Sequence, residues 1–236
     1  MTVSKELGRL AGLAFLGLLI TAACPAAADD LFADSSRFYL APIIGSSWST
    51  LSNEGDGLNR NLFTAGGAVG MAIPREAGQI RLEFESRYRD SYHLTATTTD
   101  FDASLRVSDN WSALVNAWRD FEVTDSVGLY AGGGIGGGCY SLDYLATFAD
   151  PGNSLVGSTQ IGTFAWQAGA GLIYALSDRV TLDLGYRFYN VADGTLPLTV
   201  FESGVPVGTL PVPLSFAASE MLLSLRIYEP FRGLTR

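Results

Sequence analysis

Apolar and polar residues alternate along most of this chain, and a period of two is the mark of a strand with one greasy and one polar face. The clearest stretch runs from Ile80 to Arg89. Ile80, Leu82, Phe84 and Tyr88 share one face, and Arg81, Glu83, Glu85, Arg87 and Arg89 share the other. Val180–Phe188 and Met221–Tyr228 repeat the pattern. Eight strands are predicted, at 37–49, 62–73, 78–92, 110–122, 126–141, 160–176, 179–191 and 214–229. Their connections alternate in length. Those near 50–61, 93–109, 142–159 and 192–213 are long and rich in Gly, Asn, Asp, Ser, Thr and Pro, whereas those at 74–77, 123–125 and 177–178 are short.

Long loops at one end and tight turns at the other are the layout of an outer-membrane barrel. The fold predicted is all-β: an eight-stranded antiparallel up-and-down transmembrane β-barrel with four long external loops and three short periplasmic turns. Hydrocarbon offers no hydrogen-bond partners, so a spanning sheet must close on itself. The N-terminus fits this location. Lys5 and Arg9 precede an apolar run from Ala11 to Ile20, and Ala26-Ala27-Ala28 precede Asp29 and Asp30. These are the three regions of a secretion signal. The expected organisation is a signal at 1–28, a short segment at 29–36, a barrel at 37–231 and a tail at 232–236. Lipoprotein processing at Cys24 is the rival reading.

Composition narrows the class further. The 236 residues are 47% hydrophobic and only 17% charged, which excludes a disordered chain. A net charge of −9 argues against a nucleic-acid partner. The only lysine is Lys5, and removal of the signal would leave Cys139 as the sole thiol, so no internal disulfide is expected.

An eight-stranded barrel is filled by its own side chains. Alternation nominates Arg81, Glu83, Glu85, Arg87, Asn116 and Asp120 for the lumen, together with Gln167, Asp183, Arg187, Glu220 and Arg226. Arginine suits such a site because its planar fork binds carboxylates bidentately. The glycines between Gly132 and Gly138 fit a phosphate-loop spacing, but no helix follows; inward glycines making room for large side chains explain them better. Tyr and Trp favour the membrane–water boundary. Phe38, Tyr39, Trp48, Trp111 and Trp118 are therefore assigned to interfacial belts, with Phe121, Trp166, Tyr174, Tyr186 and Tyr228.

Several of these segments resemble a family. Phe38–Gly45, Trp111–Phe121, Leu129–Gly136, Trp166–Tyr174 and Leu182–Phe188 are similar to OmpA-like and opacity-type barrels. The resemblance implies eight antiparallel strands, four exposed loops, a plugged interior, outer-membrane lipid as surroundings and the barrel-assembly machinery as a partner. Members usually end on an aromatic residue; here Arg232–Arg236 follow Phe231.

Chemistry is sparse. His93 is the only histidine, and a hydrolase built on it would use Ser91 or Ser86, with no acid evident beside them. Glu54, Asp56 and Asn59 miss the spacing of a calcium loop, and no metal site or cofactor is expected. The apolar fourth loop, with Leu196, Leu198, Val200 and Phe201, is the candidate recognition element, and an extended hairpin is the alternative for that stretch. The function expected is a structural or surface-interaction barrel whose loops meet an extracellular ligand or host surface. A narrow channel and a lipid-modifying hydrolase using His93 are the alternatives.

Overall fold

The computed structural model describes Phe32, residues 35–53 and residues 56–230. The expected signal at 1–28 and the tail at 232–236 lie outside the described residues, as does nearly all of the 29–36 segment before Ser35. The described residues form nine strands: β1 (Arg37–Asn53), β2 (Asp56–Arg75), β3 (Gly78–Arg89), β4 (Tyr92–Thr97), β5 (Phe101–Thr124), β6 (Val127–Phe148), β7 (Ser154–Ser177), β8 (Val180–Glu202) and β9 (Val205–Tyr228). β3 and β4 are two pieces of one path. Both pair with β5, and only Asp90 and Ser91 separate them. The barrel is therefore eight-stranded and antiparallel, closed where β1 pairs with β9.

Following partners once round the ring, Ala41 leads to Ala68, Glu85, Leu114, Gly136, Ala165, Val191 and Phe216, then returns to β1 at Leu51, ten residues beyond its start. With ordinary strand spacing and rise, that stagger tilts the strands by roughly 40° and gives a radius of roughly 8 Å. A cylinder this narrow is filled by side chains.

The three short turns stand where alternation placed them, at Glu76–Ala77, Asp125–Ser126 and Asp178–Arg179. The four long connections differ from expectation: most of their residues are strand. β1 and β2 run on to Asn53 and Asp56, β4 and β5 pair above the expected boundary, and β8 and β9 meet at Ser203–Gly204. Ser203 and Gly204 both have positive φ, the two-residue hairpin geometry that matches strand twist. Turn-forming composition concealed these hairpins, because Gly, Asn and Pro weaken strand propensity without forbidding paired backbone.

Small residues inside the wall make room for large ones opposite. A methyl group on Gly185 would lie 1.9 Å from the Tyr130 hydroxyl, and one on Gly134 would lie 1.8 Å from Asn116 Oδ1. Gly137 faces the other way, and a methyl there meets nothing nearer than 3.9 Å. Gly185→Ala is expected to cost about 1–3 kcal/mol in urea unfolding, the usual range for overpacking. Gly137→Ala is expected to be neutral; equal effects at the two positions would contradict the assigned faces.

Candidate functional site: a charge-balanced lumen below an apolar cup

Alternate residues of every strand point into the cylinder; at the level of the bilayer β3, β5, β7, β8 and β9 supply the strongly polar ones, while β1 and β2 present an apolar patch that includes Ala41, Ile43, Ala68 and Ala72. Among the described residues, five arginines and five carboxylates are buried in the lumen: Arg81, Arg87, Arg89, Arg187 and Arg226 with Glu83, Glu85, Asp120, Asp183 and Glu220. The formal charges cancel. An uncompensated charge in such a place costs several kcal/mol, so numerical balance is a condition of folding.

The groups form two tiers. In the lower tier Asp120 accepts from Arg81 Nε at 2.9 Å, from Gln79 Nε2 at 2.8 Å and from Arg226 Nη1 at 3.2 Å. Arg226 also grips Asp183 with two nitrogens, Nε at 2.9 Å being one. Glu83 accepts from the Tyr39 hydroxyl and from Trp118 Nε1, each at 2.7 Å. In the upper tier Glu85 is held between Arg87, at 2.5 Å, and Arg187. Glu220 lies between Arg87 and Arg89, whose Nε is 2.8 Å away. Asn116 joins the tiers, donating to Glu83 at 3.2 Å and to Glu85 at 3.1 Å, and accepting from Gln167 at 2.8 Å. Aromatic faces cover the guanidinium planes: Arg89 lies 3.9 Å from the Tyr189 ring centre and Arg187 lies 4.6 Å from that of Trp118.

All eleven nominated polar residues lie in this assembly. Alternation also carried signals that the nominations omitted. Arg89 shares the parity of Arg87, and Gln79 that of Arg81. Three belt assignments need correction. Tyr39, Trp118 and Tyr228 face inward and are almost wholly buried, because each sits an even number of positions from another inward residue on its own strand. Tyr228, two positions from Arg226, accepts from Arg226 Nη1 at 2.8 Å.

The other seven aromatics face outward. Phe38, Phe121 and Tyr174 sit beside the short-turn end, whereas Trp48, Trp111 and Trp166 sit higher, with Phe63, Tyr88 and Phe164. Strand rise and tilt place the two levels roughly 20–25 Å apart, the height of a barrel's lipid-facing band. Between them Leu82, Phe84, Val115, Ile135 and Leu184 point away from the cylinder. Tyr186, also assigned to a belt, faces outward but lies within that band, between the two aromatic levels, where its hydroxyl bonds to Ser219 at 2.9 Å.

Below the charges Phe32 packs against Trp118, Tyr130, Ile173 and Ala175. Above them the interior turns apolar. Leu51, Val107, Tyr140, Leu142, Ile161, Val191 and Phe216 belong to one packed cluster. Burial there pushes the Tyr92 phenol up to about 12, against the opposing pull of Arg60. Higher still, apolar walls from all four hairpins enclose a cavity of about 420 Å³. Leu196 and Leu198 are part of that wall and only 4% and 6% exposed, so their apolarity serves the interior rather than an exposed recognition surface. Val200 and Phe201 are half-buried. On the same hairpin, Val205, Val207 and Leu210 are the exposed apolar residues.

A sequence profile described as the outer membrane protein beta-barrel domain matches residues 13–207. The chain belongs to that family. It is a small outer-membrane β-barrel protein. Solved structures similar to it include Neisserial surface protein A, at 13% identity and a TM-score of 0.37, covering 82% of this chain and 99% of that one. Ail of Yersinia pestis, solved with the heparin analogue sucrose octasulfate, has 13% identity and a TM-score of 0.37, covering 79% of this chain and 98% of its own. OprG of Pseudomonas aeruginosa has 10% identity and a TM-score of 0.39, covering 81% and 93% respectively. No curated protein matches the chain in sequence.

His93 lies on β4, exposed, opposite Arg106 on β5, and makes no hydrogen bond or ion pair among the described residues. Glu54 and the side chain of Asp56 lie outside the described residues. Cys139 is buried and free.

Removing one partner of the Asp183–Arg226 pair strands a buried charge. Asp183→Leu or Arg226→Met alone is expected to cost about 3–5 kcal/mol in urea unfolding from lipid vesicles. The double variant should cost less than the two losses added, by about 2 kcal/mol. Strict additivity would mean that the two residues do not pair.

Proposed function

We propose that this barrel is a sealed scaffold for surface interaction, without catalysis or conduction of its own. The observation that carries the reading is the contrast between a blocked lumen and four long paired hairpins outside the bilayer. Balanced charges and packed rings occupy the described lumen, which supports a plug over a channel. The hairpins extend past the upper aromatic level by roughly 15 Å for β1–β2 and up to roughly 30 Å for β8–β9, by strand rise and tilt. They hold a ladder of backbone bonds almost to their tips, and recognition residues are commonly carried on segments held by a rigid frame.

Charge sorts along the axis. Beyond the upper aromatic level the exposed acids among the described residues are Asp90, Asp100, Asp102, Asp109, Asp143, Asp150, Asp193 and Glu202, against Arg60 and Arg106. The outer face is thus anionic, while Val205, Val207 and Leu210 give the tallest hairpin an apolar tip. Such a surface suits a partner with basic and apolar groups. His93 lacks the orienting acid that a hydrolytic histidine needs, which is the ground for leaving catalysis out.

In planar bilayers the purified protein is expected to show no steady conductance. Displayed on a non-adherent bacterium, it is expected to increase attachment to host-cell surfaces, and changing Val205, Val207 and Leu210 to Ser should remove most of that gain without altering heat-modifiable gel migration. Steady single-channel currents would overturn the sealed reading. Absence of any attachment by the intact protein would overturn the interaction reading.

A further inference from the structure

The cavity at the outer mouth has a different character from everything beneath it. About 420 Å³ lies between Leu51, Leu58, Leu105, Leu196, Leu198 and Leu214, contributed by β1, β2, β5, β8 and β9, and among the described residues no charged side chain lines it. A soluble assembly of hairpins has no need of an unfilled apolar hollow, since a collapsed contact between the same side chains would bury more surface. This one is held open because each wall belongs to a hydrogen-bonded ladder. The volume falls within the range of small-molecule sites, which are concave, largely preformed and mostly apolar.

We propose that this cup binds the alkyl chain of a single-chain cationic amphiphile, with the tail among the leucines and the headgroup outward in the acidic crown. Three observations select that occupant. From the level of Leu214 to that of Leu198 the cup is roughly 10 Å deep by strand rise and tilt, the reach of a medium-length alkyl chain. The polar side chains at its wall are few: Ser52 is engaged with the Ser215 hydroxyl at 2.6 Å, which leaves the Asn53 amide and the Tyr144 hydroxyl. Among the described residues the exposed hairpin surface from the upper aromatic level to the tips has eight acids against two arginines, so an anionic headgroup is repelled and a cationic one attracted.

The cup is blind. Its floor rests on the packed cluster around Tyr140, Leu142 and Phe216, and the sealed charges lie beneath that. It therefore holds a ligand without passing it inward. This inference is independent of whether the hairpin tips engage a macromolecule.

The test uses the full barrel in lipid nanodiscs with a photoreactive diazirine analogue of decyltrimethylammonium. Peptide mapping is expected to find saturable labelling at Leu58, Leu198 and Val212, displaced by unlabelled decyltrimethylammonium. Each methylene removed from the competitor should weaken displacement about fourfold. Leu198→Trp and, separately, Leu214→Trp fill the hollow and should each lower cup labelling at least tenfold while the folded gel mobility is kept. Decanoate should compete at least tenfold less well at low ionic strength, where surface charge is least screened. Labelling confined to the lipid-facing band at Leu82 and Phe84, or cup labelling that survives both tryptophan variants, would overturn the site. Equal competition by decanoate would overturn the assignment of a cationic ligand.

Discussion

A peptide group in hydrocarbon has no water to bond, and each one left unpaired costs several kcal/mol. Eight strands can meet that demand only by closing into a ring, and closure at this stagger leaves a core about as wide as two facing side chains. Much of the interior follows from that geometry. Because alternate residues must point inward at every strand, the polar ones have only each other as partners, and the arginines and carboxylates must match in number. The large inward rings of Tyr130 and Tyr189 need glycine opposite them, since no wall in so narrow a cylinder can move aside.

The same ring has different surroundings at different heights. Where lipid lies outside, the outer residues are apolar and the inner ones ionic, the reverse of a soluble protein. Beyond the upper aromatic level both sides meet water, the constraint relaxes, and the interior reverts to leucine, valine and phenylalanine. The change occurs over a short distance along single strands. On β9, Arg226 and Glu220 lie in the ionic zone, and Phe216 and Leu214 lie in the apolar one. An ionic lower lumen and an open apolar mouth are thus consequences of one wall crossing two solvents.

Period-two alternation made the membrane portion legible because lipid and lumen impose opposite demands on adjacent residues. The eleven polar residues followed from it, as did the three short turns. Residue type competed with parity at Tyr39, Trp118 and Tyr228. Aromatic rings suit both a headgroup region and a lining above a buried guanidinium, so composition alone pointed outward while position pointed inward. The upper hairpins were harder to read. Above the bilayer the outer face is polar or small and the sequence carries Gly, Pro and Asn, so strand and loop look alike, and only backbone pairing separates them. The apolar mouth left a trace in Leu196 and Leu198, but Leu51 and Leu105, which line the same cavity, come from distant strands that no local pattern connects.

Tryptophan placement offers the most direct test that ionic groups are sealed within and apolar groups meet lipid. The chain has four tryptophans, and variants keeping one at a time, with phenylalanine at the other three positions, can be folded into vesicles of brominated lipid. The fluorescence of Trp111 or Trp166 should be strongly quenched relative to unbrominated vesicles, and that of Trp118, two positions from Asp120 on the lumen face, should be nearly unchanged. Strong quenching of Trp118, with Trp111 protected, would mean that the wall is turned the other way and would contradict the account.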